Sequence, residues 1–83
     1  MDIRNMPWIG KTLEVVTSTD PSYVGRSGLV LHESRRMVKL QEGDKEISLP
    51  KQEITFKIDE SKTIQGHMMN KRPEDRINYK FRW

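Results

Sequence analysis

Apolar and polar residues alternate strictly along several short stretches of this chain, and turn-forming residues separate the stretches. Leu13, Val15 and Thr17 alternate with Thr12, Glu14 and Ser18. Val38 and Leu40 face one way, with Met37, Lys39 and Gln41 facing the other. Ile47 and Leu49 alternate with Glu46 and Ser48, and Ile54, Phe56 and Ile58 with Thr55, Lys57 and Asp59. A period of two places successive side chains on opposite faces of a strand with one face buried. Leu29 to Glu33 reads as a further strand, and Thr63 to Gln65 as a last short one.

The punctuation agrees. Asp20-Pro21 opens a loop, because the residue before proline leaves the helical region. Gly25 and Gly28 bracket Arg26 and Ser27, which predicts a tight turn, and Gly28 permits a bulge or bend where the next strand starts. Ser34-Arg35-Arg36 and Glu42-Gly43-Asp44 are short turns, Pro50 stops a strand, and Asp59 to Lys62 turns again. The pattern predicts an all-β fold: a small antiparallel barrel of five to six strands, whose closure hides edges that so small a sheet would otherwise expose.

The ends are less regular. Met1 to Gly10 has no period, Pro7 argues against a helix there, and Trp8 and Ile9 are expected to pack onto the domain. Tyr23 and Val24 are expected to anchor the Thr19 to Gly28 loop. Pro73-Glu74-Asp75 suits a helix start, with proline at the first position and carboxylates in the first turn. Beyond it, Ile77, Tyr79, Phe81 and Trp83 alternate as in an extended segment, yet Ile77/Phe81 and Tyr79/Trp83 are also helical neighbours.

Eighty-three residues make a single domain spanning 1–83, with the barrel at about 9–66 and a tail at about 67–83. A chain of this length affords about a dozen core residues, too few to wall a deep catalytic cleft. It has no cysteine, which excludes disulfides and thiolate metal sites. It has no apolar run near the ~18 residues of a membrane span and no apolar signal core at its N-terminus. The expectation is a soluble cytoplasmic protein.

Charge changes this picture. Residues 1–66 carry ten Lys/Arg and ten Asp/Glu, so the whole net charge of +3 falls in residues 67–83, where Lys71, Arg72, Arg76, Lys80 and Arg82 face only Glu74 and Asp75. A basic tail beside a neutral domain points to a polyanion, most plausibly nucleic acid, with a solvated tail as the bland alternative. The candidate RNA-binding residues are Lys11, Arg26, Arg35, Arg36, Lys39, Lys71, Arg72, Arg76 and Lys80, chiefly as phosphate contacts. The tail aromatics suit base stacking or packing, and packing is favoured. His32 and His67 have no ligand spacing around them, and no motif activates a nucleophile. No metal, cofactor or intrinsic catalytic activity is expected.

Two phrases carry more specificity: Asp20-Pro21-Ser22-Tyr23-Val24-Gly25 followed by Gly28-x-Val30, and Arg72-Pro73-Glu74-Asp75-Arg76-Ile77. With Ile9-Gly10 and Leu49-Pro50-Lys51 they resemble the archaeal ribonuclease P protein component 1 family over roughly residues 8 to 77. The resemblance implies an Sm-like, SH3-like barrel with helical termini. It implies an accessory subunit without activity of its own, supporting a catalytic RNA that removes the 5′ leader from precursor tRNA. It implies as partners the specificity domain of ribonuclease P RNA and a zinc-ribbon protein subunit, with precursor tRNA met indirectly and no membrane. Two other readings stay open: a generic RNA-binding barrel of ribosomal or Sm type, and an SH3-like adaptor for peptides. Salt dependence separates the last, since polyanion binding weakens steeply with salt.

Overall fold

The computed structural model describes residues 3–59 and 61–80. Six antiparallel strands appear in the predicted places: β1 (Thr12–Ser18), β2 (Ser27–Glu33), β3 (Met37–Glu42), β4 (Lys45–Pro50), β5 (Ile54–Ile58) and β6 (Ile64–Gln65). Their order in the sheet is β4-β3-β2-β1-β5-β6. Short 3-10 turns occupy Ile3–Asn5, Pro21–Tyr23, Lys51–Glu53 and Gly66–Met69, and one helix, α1, spans Pro73–Ile77. Helix α1 starts as expected, with Pro73 in its first turn beside Glu74 and Asp75, and it stops at Ile77. Phe81, Arg82 and Trp83 lie outside the described residues.

The sheet curls into a barrel around one apolar core. The alternation holds in β3, β4 and β5, where Val38, Leu40, Leu49, Ile54, Phe56 and Ile58 are buried. Trp8 and Met69 close the core from the two ends of the chain, and Trp8 meets the edge of Phe56 with ring centroids 5.3 Å apart. Ile9, by contrast, is exposed: Gly10 turns the chain at a φ of 87°, and its N–H bonds the Val30 carbonyl at 2.9 Å, so only Trp8 enters the core.

Two register shifts break the expected parity. One lies between Val15 and Thr17 in β1, the other between Val30 and His32 in β2. An extra residue in one strand moves every later side chain to the opposite face. Thr17, expected inward, is therefore exposed, as is Val16. In β2 the same effect turns His32 out and Glu33 in, so a carboxylate enters the core where plain alternation would have placed an imidazole.

Two glycines make the curvature possible. A Cβ at Gly28 would sit 2.3 Å from the Gln41 carbonyl oxygen, so only glycine lets β2 cross β3 this closely. A Cβ at Gly66 would sit 1.9 Å from the Lys51 carbonyl oxygen and 2.4 Å from that of Ile54. At this second point the ends of the sheet order meet, because β4 runs into Lys51–Glu53 and β6 into Gly66–Met69. Both obstacles at Gly66 are backbone, so Gly66→Ala is expected to lower stability by about 3 kcal/mol, at the upper end of overpacking costs. Thermal unfolding followed by circular dichroism checks this, with a midpoint lower by more than ~10 °C expected for a domain of this size.

Candidate nucleic-acid interface

A buried network of ion pairs gathers at one end of the barrel, around the inward Glu33. Lys51 Nζ donates to Glu33 Oε2 at 2.7 Å. Arg76 forks onto the same carboxylate, Nε to Oε2 at 2.9 Å and Nη2 to Oε1 at 2.7 Å. Its remaining nitrogen, Nη1, donates to the carbonyls of Arg4 and Met6, each at 2.6 Å. The guanidinium carbon lies 3.7 Å from the centre of the Trp8 ring, and the Trp8 indole N–H bonds the Ile3 carbonyl at 3.0 Å. Planarity and a fixed fork let one arginine satisfy a carboxylate, two carbonyls and an aromatic face together.

Lys51 and Arg76 have no exposed surface, and the Glu33 side chain is 1% exposed. Burial pushes the Lys51 ammonium below its ordinary value, and the hydrogen bond and charge of Glu33 pull it partly back. The knot is structural, and it corrects one expectation. The basic tail places Arg76 among the RNA contacts, whereas its guanidinium is sealed in the interior, where no phosphate reaches it.

The knot also decides where the outer cations lie. Glu33 ends β2, directly before Ser34-Arg35-Arg36, and the Lys51 N–H bonds the Arg36 carbonyl at 2.8 Å. Lys51 Nζ also donates to the Lys71 carbonyl at 3.2 Å. Lys51 therefore touches both basic segments, with its backbone at one and its ammonium at the other. Arg35, Arg36 and Arg72 are exposed around it, and the Lys71 ammonium lies 4.0 Å from the centre of the Tyr79 ring. No acid is paired with Arg35 or Arg36 among the described residues. Arg72 has Asp75 at 3.4 Å and Glu74 at 3.9 Å, exposed pairs of the kind that contribute little and exchange readily.

The other candidates stand apart from this group. Arg26 binds Glu42 at 2.6 Å at the far end of β3. That hydrogen bond, joined by one from the Ser27 N–H, holds the Glu42 carboxyl below its ordinary value. Lys39 lies on the outer face of β3 opposite His32, 3.4 Å from Glu46. Lys11 is half-buried beside Val30, and Lys80 is exposed after Tyr79.

The Asp20 loop is built from its own side chains. Asp20 accepts from the Ser22 N–H at 3.0 Å and the Ser22 hydroxyl at 2.8 Å, and these bonds lower its pKa. Tyr23 packs against the core as expected, while Val24 is exposed because the chain leaves the turn there in an extended conformation. With Trp8 and Phe56 in the core, the aromatics that a peptide groove requires are packed away. A shallow polar depression of about 250 Å³ between Thr17, Gln52 and His67 carries no convergent reactive groups. Among the described residues no three His, Asp or Glu side chains form a metal site, and no helix is long and apolar enough to cross a membrane.

Glu33 and Lys51 escaped the sequence reading. Glu33 enters the core only because of the β2 bulge, and Lys51 follows a strand end where lysine normally signals solvent.

Comparison with known proteins agrees with this architecture. The sequence profile of the family described as ribonuclease P/MRP, subunit p29, matches residues 2–79. The ribonuclease P protein component 1 of Methanosphaera stadtmanae is 32% identical over 78 residues, covering 89% of this chain and 84% of its own. That of Methanococcus maripaludis is 41% identical over 81 residues, with the same coverage of 89% and 84%. A solved structure, Mth11, described as a homologue of the human RNase P protein Rpp29, superposes with a TM-score of 0.63 at 30% identity, over 87% of this chain and 99% of that one. A matching profile along nearly the whole chain, a shared barrel and relatives similar over most of their length make this protein a member of the ribonuclease P/MRP subunit p29 family.

Proposed function

We infer that this subunit binds ribonuclease P RNA through the basic end of its barrel, and that the RNA, not the protein, carries out cleavage of the 5′ leader from precursor tRNA. The observation that carries the reading is that buried Lys51 bonds the backbone carbonyls of both Arg36 and Lys71, which brings the Arg35-Arg36 turn and the Lys71-Arg72 segment to one place on the barrel. Guanidinium and ammonium groups on a fixed frame neutralise phosphate repulsion where RNA strands fold close together, which stiffens the folded RNA. Lys11, Lys39, Lys80 and Arg26 stand apart from this centre and are secondary candidate contacts. The specificity domain of the RNA is the expected site, a zinc-ribbon subunit the expected protein partner, and precursor tRNA is met through the assembled particle in the cytoplasm.

An amide NMR titration with ribonuclease P RNA, with tRNA as control, at two salt concentrations tests the reading. Shifts centred on Arg35, Arg36, Lys71 and Arg72, weakened by salt and absent with tRNA, are expected. Equal weak shifts with both RNAs would reduce the protein to a generic basic barrel, and shifts centred elsewhere would displace the interface.

A further inference from the structure

The basic end is made of two segments far apart in sequence, and the second is tied to the barrel through a small set of bonds, those of the Arg76 side chain chief among them. Arg72 opens α1: its carbonyl accepts the Arg76 N–H at 2.9 Å. The buried Arg76 side chain then reaches Glu33, the residue that ends β2 just before the Arg35-Arg36 turn. One carboxylate is thus tied to both basic segments, through the chain to one and through Arg76 to the other. The same guanidinium holds the N-terminal segment by the carbonyls of Arg4 and Met6, while Asn5 Nδ2 reaches back to the carbonyls of Arg76, Ile77 and Tyr79.

We propose that Arg76 is a positioning residue for RNA binding: its fork onto Glu33 sets Lys71 and Arg72 beside Arg35 and Arg36, so that the four cations form one phosphate-binding strip. The proposal rests on the RNA-binding function above. Without the fork, Lys71 and Arg72 keep their charge, but their segment is held only by contacts to its backbone such as Lys51 Nζ to the Lys71 carbonyl and Asn5 to the Arg76 carbonyl, and the order that binding must then restore subtracts from affinity. The loss deprives the Arg4 and Met6 carbonyls of a donor, but the charge balance of the core survives it. Removing Arg76 leaves Glu33 and Lys51 as a one-to-one ion pair at 2.7 Å, so no buried charge is stranded.

The test is a cycle of full-length variants: wild type, Arg76→Met, Lys71→Ala with Arg72→Ala, and all three changes together. Methionine fills the space over Trp8 without donating hydrogen bonds. Affinity for ribonuclease P RNA is measured across a salt series, and amide spectra of β2 and β3 report whether the barrel is intact. The Lys71→Ala, Arg72→Ala variant is expected to flatten the slope of log K against log salt by about 1.5, two phosphate contacts at roughly 0.7–0.9 each. Arg76→Met is expected to weaken binding with the barrel spectrum intact, and the triple variant to bind within twofold of Arg76→Met alone, because cations that are no longer positioned have little left to lose. Arg76→Lys, which keeps a cation near Glu33 without the planar fork, is expected to recover part of the affinity, and it carries the comparison if Arg76→Met fails to fold. Losses that multiply, or an Arg76→Met protein that binds like wild type, overturn the positioning role. A wild-type chain without salt-dependent binding overturns the RNA-binding reading itself.

Discussion

Glu33→Ala is expected to unfold much of this protein at room temperature. Glu33 is the only acid among the buried residues described, and it faces both Lys51 and Arg76 at 2.7 Å. Removing one partner from a buried ion pair costs about 3–5 kcal/mol, because the remaining charge stays desolvated without compensation. Here two cations lose their partner together. Domains of this size are stable by only about 4–12 kcal/mol, so the loss takes much of the total. Chemical denaturation followed by circular dichroism measures it. Glu33→Gln, which keeps the shape and can still accept hydrogen bonds, is expected to lie between wild type and Glu33→Ala.

The deficit carries a pH signature. Burial already depresses the Lys51 pKa, and loss of Glu33 removes the two effects that raise it. Lys51 in the folded variant then releases its proton at lower pH than in the unfolded chain, where lysine titrates at about 10.4. Between those two values the unfolded state binds more protons, so stability rises with pH. The Glu33→Ala protein is therefore expected to recover part of its stability as pH climbs toward that upper limit. A Glu33→Ala variant within 1 kcal/mol of wild type, with no recovery at high pH, would contradict the knot as the organiser of this end of the barrel.

The strands were legible because alternation is a direct consequence of a half-buried sheet, and it runs unbroken through Val38 and Leu40 and through Ile54, Phe56 and Ile58. The turns were legible because Gly43 permits the left-handed backbone a hairpin needs, at a φ of 61°, and Pro21 fixes its own φ. The bulges in β1 and β2 were not. A bulge is one extra residue in a ladder, decided by how two strands close a barrel, and nothing in the composition of Val15-Val16-Thr17 or Val30-Leu31-His32 announces it. From these two unreadable events follow an outward Thr17 in β1 and an inward Glu33 in β2.

Arg76 shows the same limit from the charge side. Counting cations in the last seventeen residues treated five of them as equivalent. The chain spends one on its own core, since an inward carboxylate requires a buried partner and α1 delivers it. Spacing in Arg72-Pro73-Glu74-Asp75-Arg76-Ile77 identified a family resemblance, but not which arginine faces out. Lys51 was hidden likewise, because lysine after a proline-ended strand ordinarily meets water.

The largest functional effect is expected from neutralising the basic end itself. Lys51 bonds the backbone of both the Arg35-Arg36 turn and the Lys71-Arg72 segment, and none of these four side chains takes part in the buried knot. Replacing all four with Ala therefore leaves core and knot in place and removes up to four phosphate contacts. The slope of log K against log salt is expected to flatten by about 3, at roughly 0.7–0.9 per contact, so the gap to wild type widens about a thousandfold for each tenfold dilution of salt. Lys45→Ala with Lys57→Ala removes charge from the Glu42 to Lys45 hairpin and from β5, away from the strip, and is expected to keep the wild-type slope.

The measurement that bears most directly on this account is that salt slope, taken on ribonuclease P RNA with wild type, the four-fold variant and the Lys45, Lys57 control side by side. A slope that flattens by about 3 in the four-fold variant and stays unchanged in the control locates RNA recognition at the basic end. Equal flattening per charge removed in both variants would mean that RNA senses only the net charge of the barrel, and the interface described here would be wrong.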